Sequence, residues 1–199
     1  MSFDDLIPLL RLSFRDPAGV YRRLRALDLP VSASWMALSV SVLLSTLLVA
    51  FAAMSRPEAM MPILLFMIAR PLPFALMQLA GLAVGTWFLT VLGRAVGGRG
   101  RFADLLLGMA WIELLFLAAQ VVQTVLVLVS PLLASLVGLA ASILVVWVSV
   151  QIVKAAHGFS NAILVFFGMI VSFIVTILFL SVLAAALGLV PDIPAEVQP

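Results

Sequence analysis

The residue in this sequence with the clearest potential for chemistry is an acid inside a long apolar stretch. Glu113 is followed at helical spacing by Gln120 and Thr124, so the three side chains are predicted to form a polar stripe on one helix face. A carboxylate within a membrane helix is a candidate proton or substrate site. The structural alternative is that Glu113 pairs with a loop arginine, or takes up a proton and hydrogen-bonds across helices. The sequence favours this alternative, because a single intramembrane acid makes a poor proton relay.

The remaining residue types give little indication of a catalytic site or a metal site. His157 is the only histidine, and there is no cysteine, so no clustered ligand set for a metal exists. A Ser–His–acid triad would require a serine and an acid to meet His157, and no elbow motif accompanies it. We therefore predict no catalytic residues, no metal, no cofactor and no enzymatic activity. An intramembrane hydrolase using His157 is the third possibility after binding and transport.

The composition indicates that lipid is the solvent for most of the chain. Hydrophobic residues make up 65% of 199 positions and charged residues 10%, with a mean hydropathy of +1.29. Soluble domains are closer to half apolar and a quarter charged. The net charge of +2 is too small to indicate nucleic-acid binding.

The predicted fold class is all-α: a polytopic membrane protein with a bundle of five transmembrane helices and a short amphipathic N-terminal helix. Residues 1–30 form the amphipathic segment, 31–190 the membrane domain and 191–199 an outer-side tail. Prolines on both sides of Leu72 divide a long apolar stretch, so residues 60–69 are predicted as an interfacial or re-entrant helix. The spans are predicted at about 34–54, 73–92, 102–129, 132–153 and 161–187.

The N-terminal segment combines apolar and basic surfaces on a helix that begins after Asp16. Such a helix either lies in the cytoplasmic headgroup layer or docks on the protein's own loops. Five spans with the N-terminus inside place nine of the eleven basic residues in the cytoplasm, which matches the positive-inside rule. The candidate headgroup or partner contacts in these segments are Arg22, Arg23, Arg25, Arg99, Arg101 and His157.

Small residues at four-residue spacing predict close helix packing. Gly81 and Gly85 form such a pair in the second span, and Gly138 and Gly168 lie in similar series in the fourth and fifth spans. These patterns predict helix contacts and identify no partner. Arginine predominates over the single lysine, Lys154, and with abundant Ala, Leu and Val this favours a bacterial source and a bacterial inner-membrane location.

Three stretches carry a family resemblance. They are residues 16–24 (DPAGVYRRL), 97–102 (GGRGRF) and 156–160 (AHGFS). In this order and spacing they resemble the Yip family (Ypt-interacting protein domain), in particular its short bacterial members. The resemblance implies a five-helix membrane domain with a cytoplasmic N-terminus. Glu113 departs from the family pattern, since it stands about where relatives often have a proline.

The resemblance and the residues together give two expectations for function. The first is a non-enzymatic membrane protein that binds membrane lipids or a membrane-protein partner, or forms a homo-oligomer, as an accessory or scaffolding subunit of an inner-membrane assembly. The alternative is a transporter of a small molecule, lipid or proton that uses Glu113, Gln120 and Thr124. Eukaryotic members bind Rab-type GTPases, but the N-terminal segment here is short and gives no reason to expect that activity.

Overall fold

The computed structural model describes the backbone of residues 3–55, 65 and 68–186 and the side chains of these residues from Ile7 onward, and every regular element in them is a helix. The predicted all-α polytopic fold is confirmed. The predicted tail at 191–199, and the predicted helix at 60–69 apart from positions 65, 68 and 69, lie outside the described residues. The helices are α1 Phe3–Ser13, α2 Pro17–Ala26, α3 Val31–Ser55, α4 Pro71–Ala95, α5 Phe102–Val129, α6 Pro131–His157 and α7 Ala162–Ala186.

Helices α3 to α7 are long and apolar enough to cross a membrane. Each has 25 to 28 residues, which exceeds the roughly 20 needed for a bilayer. Their ends follow from local chemistry. Ser130 caps α6 by accepting a hydrogen bond from the Leu133 N–H at 3.4 Å, and Pro131 occupies the first helical position. Gly158 ends α6 with a φ of +75°, a conformation that favours glycine.

Four of the long helices form a closed ring in the order α4, α5, α6, α7, and each packs against its two neighbours. Helix α3 lies outside the ring against α4 and α5, and α2 packs across α5 and α6. Because α5 and α7 face each other across the ring, space remains between them for a cavity.

The N-terminal helices dock on the bundle. Val20, Tyr21 and Leu24 of α2 are buried, and the Trp111 indole N–H of α5 donates a hydrogen bond to Ser13 Oγ at 2.9 Å. Helix α2 therefore rests on the protein's own helices and turns its arginines outward. We call this end of the bundle the basic end: it comprises α1, α2, the loop 96–101 and the junction 157–161.

The glycine pair in α4 faces α7. Ser172 Oγ donates to the Gly85 carbonyl at 3.5 Å, and a Cβ atom at Gly85 would lie 3.6 Å from Thr176 Oγ1. Gly138 of α6 packs against the Gln123 side chain of α5. Gly168 makes no close helix contact within the described part of the chain, because a Cβ atom there would meet no atom within 4 Å.

Candidate functional site

A groove with three arginines lies where α1 meets α2 at the basic end. It has a volume of about 550 Å³, and among the side chains that the structure describes, none that lines it is acidic. None of the three arginines forms an ion pair with a side chain that the structure describes, from Ile7 onward. We call it the arginine groove; its lining residues are Ile7, Pro8, Arg11, Leu12, Phe14, Arg15 and Arg23.

The turn between the two helices holds the arginine groove in shape. Asp16 caps α2, since its Oδ1 accepts a hydrogen bond from the Gly19 N–H at 2.7 Å. The α1 helix ends with Ser13 Oγ donating to the Leu9 carbonyl at 2.9 Å while it also accepts from the indole of Trp111. The hairpin is thus fixed both internally and to the bundle.

The basic residues that the sequence analysis named as candidate contacts have different surroundings in the structure. Arg22 pairs with Asp16 and Arg25 with Asp104, each at 3.4 Å, so both guanidinium groups already have an anionic partner. Arg23 alone of that group lines the arginine groove. Arg99 and Arg101 are exposed in the loop before α5.

Sequence reasoning missed Arg11 and Arg15 as site residues. Their four-residue spacing is a usable signal for a shared helix face. The contact of that face with Arg23 was not predictable, because it depends on how α1 folds back against α2.

His157 is not a headgroup or partner contact, and this prediction is wrong. Its side chain is only 2% exposed and joins two loops: its Nδ1 accepts from the Gly100 N–H at 3.2 Å, and its carbonyl accepts from the Arg99 N–H at 3.0 Å. The Phe159 ring stacks on it at a centroid distance of 5.2 Å. Its role is to hold the α4–α5 loop against the α6–α7 junction.

The glycines around His157 follow from this packing. A Cβ atom at Gly93, Gly98 or Gly100 would overlap the imidazole ring. The ring also borders an apolar cavity of about 330 Å³ between the ends of α4, α6 and α7, which Leu89 and Met169 line as well. The imidazole Nε2 is buried.

Glu113 lines a second cavity, of about 430 Å³, deeper in the bundle. The polar residues that share it come from three other helices: Ser45 of α3, Gln78 of α4, and Ser172 and Thr176 of α7. Within the described part of the chain, Glu113 has no ion pair. The loop arginine Arg101 is twelve residues away, about 18 Å along the helix. We call this space the Glu113 cavity.

The polar stripe predicted on α5 is divided by the fold. Gln120 accepts a hydrogen bond from Ser45 Oγ at 2.6 Å and, like Thr124, is not among the residues that line the Glu113 cavity. A similar hydrogen bond joins α3 to α4, where Thr46 Oγ1 donates to Gln78 Oε1 at 3.1 Å. Gln120 is therefore a helix-packing residue, and the grouping of Glu113 with Gln120 and Thr124 as one site is wrong.

The described residues contain no group of three or more His, Cys, Asp or Glu side chains that could hold a metal ion.

The model of one family, the Yip1 domain, matches residues 11–184, which is most of the chain. No curated protein and no solved structure matches the sequence. The matched residues include His157 and the glycines that pack around its imidazole ring at the basic end.

Proposed function

The chain belongs to the Yip1 family of multi-pass membrane proteins, and on that premise we propose that it is a non-enzymatic protein whose basic end binds an anionic lipid. The observation that carries the proposal is the arginine groove, where Arg11, Arg15 and Arg23 line one space without an acidic partner among the described residues. Guanidinium groups bind phosphate oxygens with paired hydrogen bonds. Three such groups suit the phosphate of a lipid headgroup.

The apolar residues beside the arginines support a lipid over a free phosphate. Ile7 and Phe14 line the arginine groove and remain 57% and 51% exposed. Apolar side chains next to cations are typical of helices that lie at the headgroup and acyl-chain boundary. Each arginine near an anionic surface contributes about 1 kcal/mol to the attraction.

The location follows from the same proposal. We place the basic end in the cytoplasm, where the inner leaflet carries anionic lipids, and the C-terminus in the periplasm of a bacterial inner membrane. Lipid binding there would fix α1 and α2 at the membrane surface as a platform for a membrane-protein partner or a second copy. The protein would then act as an accessory or scaffolding subunit.

Native mass spectrometry of the protein released from nanodiscs tests the proposal. The nanodiscs contain phosphatidylethanolamine and phosphatidylglycerol, and the spectra give the number of each lipid retained. We expect the wild type to retain phosphatidylglycerol selectively. The triple variant Arg11→Gln, Arg15→Gln, Arg23→Gln should lose that selectivity.

The matched control removes the same charge from the same end of the bundle. The triple variant Arg94→Gln, Arg99→Gln, Arg101→Gln changes three exposed arginines outside the groove, and it should retain phosphatidylglycerol as the wild type does. Equal loss in the two triple variants would show that charge alone attracts the lipid and would overturn the site. Retention of a stoichiometric protein in place of any lipid would replace lipid binding by partner binding.

A second candidate function, transport, is favoured by one observation. Leu89 and Met169 line both the apolar cavity at His157 and the Glu113 cavity, so these two side chains lie between the two spaces. A movement of these side chains that joined the cavities would open a path from the basic end to the middle of the bundle. Flux of a proton or small molecule through reconstituted protein should disappear in Glu113→Gln, and unchanged flux would remove Glu113 from a transport mechanism.

A further inference from the structure

We infer that the Glu113 cavity binds an amphiphilic amine, that is, a molecule with an apolar chain and one protonated nitrogen. This site uses none of the residues of the arginine groove and goes beyond the proposed lipid binding. The inference rests on the charge of the cavity, on its hydrogen-bonding capacity and on the apolar character of its remaining wall.

The charge of the cavity calls for a cation. Glu113 is the single ionisable side chain among the described residues that line it, and no described residue forms an ion pair with its carboxylate. An ionised carboxylate away from water is costly unless a cation or hydrogen-bond donors accompany it. A ligand with one positive charge would supply that partner.

The hydroxyl groups of Thr176, Ser172 and Ser45 already donate hydrogen bonds to other atoms. Thr176 Oγ1 donates to the Ser172 carbonyl at 2.7 Å, Ser172 Oγ to the Gly85 carbonyl, and Ser45 Oγ to Gln120. Their oxygens therefore face the cavity as acceptors, and the Gln78 amide is the remaining donor. An ammonium group has three donors and no acceptor, so it complements this lining.

The rest of the wall is apolar and suits a hydrocarbon chain. It includes Leu82, Phe116 and Ile177, and the volume of about 430 Å³ falls in the range of small-molecule sites, roughly 300–1,000 Å³. A bare metal ion would leave most of this space empty. Phe173 and Ile177 line the cavity and are 65% and 47% exposed on α7, so this wall of the cavity borders the outer surface of the bundle.

Photo-crosslinking in nanodiscs tests the inference. The probes are a long-chain primary amine with a diazirine at the end of its chain and the alcohol of the same length with the same diazirine. We expect the amine to label residues of α4 and α7 that line the Glu113 cavity, and an excess of unlabelled amine to abolish the labelling. The alcohol should label these residues at least about tenfold more weakly at the same concentration. Equal labelling by both probes would overturn the inference.

Variants then connect the labelling to the carboxylate. Glu113→Gln keeps the shape of the side chain and removes its charge, and it should weaken the apparent affinity for the amine at least about tenfold without changing that for the alcohol. Asp28→Asn makes the same chemical change at an exposed position outside the cavity and should leave both affinities unchanged. Equal amine affinity in wild type and Glu113→Gln would contradict the site. The comparison of amine with alcohol in the wild type stands even if the variant does not fold.

Discussion

The residues around His157 show how a sequence motif can be recognised while its role is misassigned. The loop glycines and the histidine stand out in the sequence, and they suggested a surface contact. The structure buries the imidazole between Gly93, Gly98 and Gly100, where no Cβ atom fits. Sequence spacing cannot reveal this burial, because it results from two loops that meet only after the helices pack.

Two helical glycines provide a matched test of this packing. Gly93→Ala places a methyl group against the imidazole, which Gly98, Gly100 and Phe159 hold in place. We expect a loss of about 1–3 kcal/mol in the free energy of unfolding, measured by denaturant titration in detergent. Gly168→Ala meets no atom and should leave stability unchanged or raise it by up to about 1 kcal/mol. Similar effects of the two substitutions would contradict the packing of His157.

The single tyrosine gives a pH-dependent signal. Burial and the nearby Asp104 carboxylate raise the pKa of Tyr21 to about 12, against the opposing effect of Arg25. In the unfolded chain the Tyr21 hydroxyl has its ordinary pKa of 10.0, so the contribution of Tyr21 to stability is intact below pH 10. It is lost as pH rises toward about 12, by on the order of 2 kcal/mol.

Tyrosinate absorbance measures this pKa directly, because no other tyrosine is present. The folded protein should titrate near 12, and a transition near 10 would show that Tyr21 is not buried. Tyr21→Phe removes a buried hydroxyl that has no hydrogen-bond partner among the described residues. It should therefore fold with unchanged or higher stability at neutral pH and lose this part of the alkaline destabilisation.

At the scale of the elements, the helices were largely predictable and their partners were not. Uninterrupted apolar stretches, with prolines and Gly158 at their ends, define spans that agree with α3 to α7 to within a few residues. The docking of α1 and α2 on the bundle was not predictable, because an amphipathic helix can face either lipid or protein. The Ser13–Trp111 hydrogen bond joins residues whose proximity depends on that docking.

The contact of α4 with α7 can be tested by a disulfide, since the chain has no cysteine of its own. The Cβ position at Gly85 lies in van der Waals contact with the Thr176 side chain, 3.6 Å from its Oγ1 and 3.8 Å from its Cγ2, so cysteines at these two positions would be neighbours. The double variant Gly85→Cys, Thr176→Cys should form an intramolecular disulfide under mild oxidation, detected by mass spectrometry. Gly85→Cys with Leu178→Cys, which is exposed on another face of α7, should remain reduced. A disulfide in the second pair alone would refute this arrangement of α4 and α7.

At the scale of the whole molecule, composition and charge were sufficient to predict a membrane fold but not to predict which residues form its cavities and grooves. The Glu113 cavity draws its polar residues from α3, α4, α5 and α7, and a pattern on a single helix could not assemble them. The predicted stripe therefore included Gln120, whose side chain accepts a hydrogen bond from Ser45 and lies outside the lining of the Glu113 cavity. The arginine groove was missed in part for the same reason.

Orientation is a property of the whole molecule and follows from the proposed cytoplasmic basic end. Val96→Cys lies in an exposed loop of that end, and Leu132→Cys is exposed beside the turn at the opposite end of the bundle. In intact cells, a membrane-impermeant maleimide should label Leu132→Cys and leave Val96→Cys unmodified until the membrane is opened. The reverse pattern would invert the proposed orientation.

The measurement that tests the central claim most directly is hydrogen–deuterium exchange of the protein in nanodiscs with and without phosphatidylglycerol. A lipid headgroup in the arginine groove should slow exchange in α1 and the first turns of α2 when phosphatidylglycerol is present, and should leave the exposed loop 96–101 unchanged. The triple variant Arg11→Gln, Arg15→Gln, Arg23→Gln should abolish the difference. Identical exchange of α1 and α2 in both nanodiscs, or protection confined to the loop, would contradict lipid binding in the arginine groove.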